Sequence, residues 1–223
     1  MVIDPDPTLY PDVTEYGGLA AALVGAGRTI SIDLSAVSAI AGSEQKIAAV
    51  LETRRGAVVT VLGADRRCFV VNINGDTHVW ATGGTEDLQQ VAQVADAWRN
   101  GLTLQELHSR FPFMSYDRMA QAYEDGNPIA VRWRELLEDP NYSDVHPLLE
   151  AAHSSDKLGQ LFPSVSMYTR VRFALDHKDR DAGEILIDET PEGGYSVVAT
   201  WNQVHRTAAS IHEAIAEAIA LLP

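Results

Sequence analysis

The chain has a single cysteine, Cys68, in 223 residues. No intramolecular disulfide can form, and a reducing cytoplasm is the expected compartment. Cations are scarce too: 17 Lys and Arg stand against 31 Asp and Glu, a net charge of −14. That balance opposes binding to nucleic acid, where cations must displace the counterions of the phosphates. It also opposes adsorption to an anionic membrane. No run of about 18 apolar residues, the length of a spanning helix, occurs anywhere. The opening "MVIDPDPTLYPD" lacks both the basic start and the apolar stretch of a secretory signal. No nucleic-acid or membrane partner is therefore expected. The acid excess serves solubility, or it forms a face for a basic partner.

The motifs of well-marked chemistry are missing as well. "GAG" at 25–27 follows a helical pattern rather than a strand and has no third glycine at dinucleotide-binding spacing. There is no P-loop, no G-x-S-x-G elbow and no kinase set. The seven histidines form neither H-x-x-x-H nor H-E-x-x-H. Asp176-His177 and His153 with Asp156 are only loose acid–imidazole neighbours, so no metal and no cofactor is expected. Cys68 sits beside Phe69 in a strand pattern, where a thiol is buried and inert.

What is present is a patterned, foldable chain. The first ten residues, with Pro5 and Pro7, read as a loose arm. Leu19, Ala22, Leu23 and Ala26 recur at helical spacing, which predicts a helix from about Val13 to Gly25 that "GAG" stops. Strands follow in "RTISIDL", "KIAAVLET" and "GAVVTVLG". In "RCFVVNINGDTHVWAT", Asn74-Gly75 predicts a two-residue type I′ hairpin pairing Ile73 with Asp76, Val71 with His78 and Phe69 with Trp80. Both faces of that hairpin are mostly apolar, so it should be covered on both sides.

The middle third is helical. Leu88, Val91, Ala92, Ala95 and Trp98 form one stripe that ends at Gly101. Thr103 and Glu106 make a T-x-x-E capping box, opening a short helix that Pro112 closes. The stretch "WRNGLTLQELHSRFPFM" is thus a helix–turn–helix corner with an aromatic core, and His108 borders its buried face. Further helices are expected at about Ser115 to Asp125, after Asn127-Pro128 and after His146-Pro147. The remainder returns to strands. "SVSMYTRVRFALD" alternates as one strand, "GEILIDE" and "GYSVVATWN" make a hairpin, and "TAASIHEAIAEAIALLP" is an amphipathic helix with Ile211, Ile215, Ala218, Ile219 and Leu222 inward.

The order is α+β: a helix and antiparallel β-meander over 1–86, a helical middle over 87–162, then C-terminal antiparallel strands plus an amphipathic helix over 163–223, or one continuous domain. On the expected strand Tyr168, Arg170 and Arg172 point outward together. Two guanidinium groups about 7 Å apart on one face suit a carboxylate, a phosphate or an acidic peptide, with the tyrosine available for stacking. The plain alternative is a solvated face neutralised by Glu184 or Asp188.

Several segments in order carry a resemblance: "YPDVTEYGGLAAAL", "VAQVADAWRNGLTLQELHSRFPFM", "YEDGNPIAVRWRELL", "LFP" before a strand, and "EAIAEAIALLP". Together they resemble an actinobacterial family of unknown function labelled natural product biosynthesis proteins, over almost the whole chain. The resemblance implies a cytoplasmic protein acting near specialised metabolism. It supplies no catalytic residues. Two functions fit. One is an accessory or binding protein that holds a small molecule, a peptide, an acidic intermediate or a partner protein, with Tyr168, Arg170 and Arg172 as its contact. The other is a cofactor-independent tailoring enzyme of the cyclase or isomerase type, with His78 or His108 as its acid–base group.

Overall fold

Short apolar alternations separated by glycine-bearing turns build two antiparallel sheets. The computed structural model describes residues 3–40, 46–167 and 169–223, without the side chain of Arg180. These residues hold eight α-helices and ten strands in two five-stranded meanders, an α+β fold. The chain divides into two compact units, Met1–Glu124 and Asp125–Pro223. The helices of the middle third are shared between them.

In the first unit, α1 (Pro11–Glu15) and α2 (Leu19–Thr29) stand where one helix was expected. Two glycines separate them, Gly17 and Gly18, with φ of 78° and 151°. "GAG" does not stop α2, which runs through it. Its glycines admit close neighbours instead: a Cβ on Gly25 would lie 2.6 Å from the Tyr16 ring, and one on Gly27 2.7 Å from the Ile32 carbonyl. The segment read as the strand "RTISIDL" forms no strand, although Leu34 is buried. Nor do the described residues ahead of α1 form a loose arm. Tyr10 is 1% exposed. Its hydroxyl accepts from the Cys68 backbone N–H (2.9 Å) and reaches the carbonyls of Gly63, Arg66 and Cys68.

The first sheet runs β1 (Ala48–Thr53), β2 (Gly56–Leu62), β3 (Phe69–Asn74), β4 (Val79–Thr85) and the two-residue β5 (Met114–Ser115), in that order. Helices α3 (Leu88–Arg99), α4 (Leu104–Arg110) and α5 (Arg118–Asp125) complete the unit. The capping box is present: Thr103 and Glu106 satisfy each other's backbone N–H. Helix α2 packs on β1 and α3, and α3 packs on β3 and β4. One face of the sheet, with Leu51, Val58, Phe69, Val71, Ile73 and Ala81, is thereby sealed into the core with Trp98.

The β3–β4 hairpin differs from the type I′ prediction. Phe69 pairs with Thr85, Val71 with Gly83 and Ile73 with Ala81. The loop spends four residues, Gly75 to His78, closed by the Gly75 N–H on the His78 carbonyl, and Gly75 does not take a positive φ. A bulge between Ile73 and Asn74 leaves Trp80 as the extra residue and turns it toward Trp98. Burying a large aromatic side chain outweighs a turn preference worth a fraction of a kcal/mol or so. The hairpin is also covered on one side only. Val70 is 36% and Val79 51% exposed.

The second unit places α6 (Pro128–Glu138) and α7 (His146–His153) ahead of β6 (Phe162–Ser166), β7 (Arg170–Ala174), β8 (Glu184–Thr190), β9 (Gly194–Ala199) and β10 (Val204–Ala208), and ends with α8 (Ile211–Leu221). Its core is separate: Trp133, Leu136, Leu149 and Leu158 meet Val171, Phe173, Ile185, Ile187 and Val197. Helix α8 lies on β8, β9 and β10. It buries Ala214 and Ala218 fully, while Ile211, Ile215, Ile219 and Leu222 are only partly buried. Small side chains let its backbone approach the sheet, and the isoleucines straddle the contact. The segment expected as one long strand is two, β6 and β7, because the chain turns at Met167, whose φ is 54°.

Candidate functional site

The expected cationic ridge lies on the outer face of the second sheet. On β7, Val171 and Phe173 point into the core, which sends Arg170 and Arg172 to the other side. Tyr168, the third expected member, lies outside the described residues. The Arg170 Nε donates to both carboxylate oxygens of Asp188 at 2.8 Å. Arg172 donates to Glu184 through Nε (2.9 Å) and Nη2. The side chains stay 41% and 39% exposed. Register places Arg172 in a row with Ser164, Leu186, Val198 and His205. This face therefore offers fixed, charge-matched donors and acceptors around two aliphatic side chains. Charge-assisted pairs of this kind hold long side chains in place, so less rotamer entropy remains to be lost when something docks.

His78 lies elsewhere, in the first unit. Its ring stacks on Tyr123 (3.8 Å between centroids, 1° between planes) and meets Trp80 edge-on at 4.1 Å. Trp80 leans on Trp98 at 5.7 Å. The Arg55 guanidinium sits 3.9 Å from the Trp98 ring and 5.1 Å from Trp80. It donates to the Leu102 carbonyl (2.8 Å) and to Glu124 (2.6 Å), and Glu124 also accepts from the Leu104 N–H at the start of α4 (2.9 Å). Arg55 and Glu124 are 69 residues apart, so no sequence pattern announces them. Their joint work is to tie the β1–β2 turn to α3, α4 and α5.

His108 is exposed on α4 rather than half-buried. Its Nδ1 lies 2.6 Å from the Met114 carbonyl, so that nitrogen carries the proton and donates. Tyr116 lies edge-on to it at 6.2 Å. The outer side of α4 lines an open depression with Gln105, Glu106, Ser109 and Arg110, and a second lies among Glu52, Thr53, Arg54 and Arg99. Cys68 is half-buried just ahead of β3. His177 stacks on Phe162 at 5.7 Å, and burial, aided by Lys178 and opposed by Asp176, holds its pKa below the usual imidazole value. No group of three or more His, Cys, Asp or Glu among the described residues is placed to hold a metal ion.

Comparison with known proteins bears on one of these regions. Residues 127–223 match a family of unknown function (DUF6193). No curated protein and no solved structure matches the chain. The matched segment coincides with the second unit and carries the Arg170–Arg172 face, while His78 and His108 fall outside it. The match does not reach residues 1–126, so the resemblance expected over almost the whole chain has no counterpart there. No described helix is long and apolar enough to cross a membrane.

Proposed function

We propose that this is an accessory or binding protein of actinobacterial specialised metabolism, which holds a peptide, an acidic intermediate or a partner protein on the outer face of its second sheet. The carrying observation is that face: Arg170 and Arg172, each anchored by a carboxylate, flank Leu186 and Val198 in the unit that matches DUF6193. Arginines beside aliphatic side chains are the part of this face that resembles a protein-contact surface, where Arg is enriched. The cytoplasm is its proposed location, in keeping with the single cysteine.

Deletion of the gene in its host, with metabolite profiling and complementation, tests the reading. The expected result is a general fall in product that wild-type chain restores and an Arg170→Ala/Arg172→Ala chain does not. Accumulation of one defined precursor would instead establish a tailoring enzyme. Full rescue by the double variant would remove the role of this face.

A further inference from the structure

The first sheet is apolar on both faces but is covered by helices on one. Its outward residues are Val50 and Glu52 on β1, Ala57, Val59 and Val61 on β2, Cys68, Val70, Asn72 and Asn74 at β3, and Val79, Thr82 and Gly84 on β4; Ala48, on the same side at the start of β1, is buried at 4% exposed. Register sets Val61 beside Val70 and Gly84, Val50 beside Val59, Asn72 and Thr82, and Ala57 beside Asn74 and Val79. None of the five valines belongs to either hydrophobic core. Val70 and Val79 are 36% and 51% exposed. The polar pair in the middle is hydrogen-bonded within itself, the Thr82 hydroxyl donating to the Asn72 Oδ1 at 2.8 Å.

We propose that this face docks a second copy of the chain, sheet against sheet. Charge selects the occupant. Glu52 is the single charged side chain among these outward positions, in a chain of net charge −14. Two copies repel over most of their surfaces, and this face, with one carboxylate, is where they can meet with the least opposition of charge. A basic partner gains nothing there. Size sets the strength. Four strands at about 4.8 Å spacing and six residues at about 3.3 Å rise give roughly 400 Å² on each copy, or about 800 Å² in total, so the association is weak and reversible.

The test is sedimentation of the full chain from about 1 to about 500 μM, a span that brackets weak dimers, at low and high salt. The expected result is a concentration-dependent monomer–dimer equilibrium that tightens with salt as the self-repulsion is screened. Val70→Asp/Val79→Asp should raise the dissociation constant at least about tenfold, because it puts carboxylates face to face. Should that variant fold poorly, the nearly isosteric Val70→Thr/Val79→Thr reports the same loss to a smaller degree. Alkylation of Cys68, the sole thiol and the neighbour of Gly84, should slow as concentration rises. A monomer at every concentration, or a dimer that neither variant weakens, overturns the proposal.

Discussion

Arg55 shows how one side chain can organise a unit. It is only partly exposed, lies on Trp98, and spends its donors on Leu102 and Glu124. Arg55→Ala leaves the Glu124 carboxylate, 15% exposed, with a lone backbone donor. The expected cost is about 2–3 kcal/mol, read as a lower denaturant midpoint. Arg55→Lys should rescue little of it, since an ammonium cannot reproduce the planar fork. Arg67 offers a milder case with a pH signature. Its hydrogen bond to Asp12 (2.8 Å), opposed by partial burial, holds that carboxyl below its ordinary value. A depressed folded pKa contributes stability that is fully present above the unfolded value, about 4, and is lost as pH falls through the folded value. Asp12→Asn should therefore lower the melting temperature at pH 7 by the equivalent of less than about 1 kcal/mol, given its exposure, and the difference should shrink as pH falls through the folded value.

At the level of elements, turns decide register. Gly56 follows Arg54-Arg55 in the β1–β2 hairpin with φ 106°, and a Cβ there would lie 1.9 Å from the Asn74 carbonyl oxygen. Gly56→Ala meets both a disfavoured backbone conformation and a backbone clash, so a loss of at least about 3 kcal/mol is expected. Gly75→Ala is the instructive contrast. A type I′ turn would make it a conformational penalty, but here φ is ordinary and the Cβ would press on His78 and Trp80 at 3.0 Å. Shortening Trp80 in the same chain should relieve that clash, and a double-mutant cycle on stability measures the coupling. Thr103→Ala removes a cap whose reciprocal bonds are formed, at about 1 kcal/mol.

Across the molecule, the two cores share no residue: one spans Tyr10 to Ala120 and the other Trp133 to Ala218. Each unit buries its own aromatic centre, Trp98 in the first and Trp133 in the second. A chain of residues 125–223 should accordingly fold alone, with a cooperative thermal transition by circular dichroism. A fragment that stays unfolded until residues 1–124 are supplied would show that its core is insufficient. The DUF6193 match begins at residue 127, within two residues of that boundary.

The local codes were readable along the chain because they act between near neighbours. The capping box at Thr103 and Glu106, proline at the start of α6 and α7, the stripe of α3, and the turn at Thr190 to Gly193 all appear where their residues predict. So does the α+β order. Contacts between distant segments were not readable. Tyr10 reaching the Cys68 backbone, Arg55 meeting Glu124, and the bulge at Trp80 each depend on side chains brought together only when a helix settles on a sheet. Arg170 and Arg172 were legible as an outward pair, and Glu184 and Asp188 as acids able to reach them. Which acid holds which arginine was set by the register of β7 on β8, a choice that the whole second core makes at once.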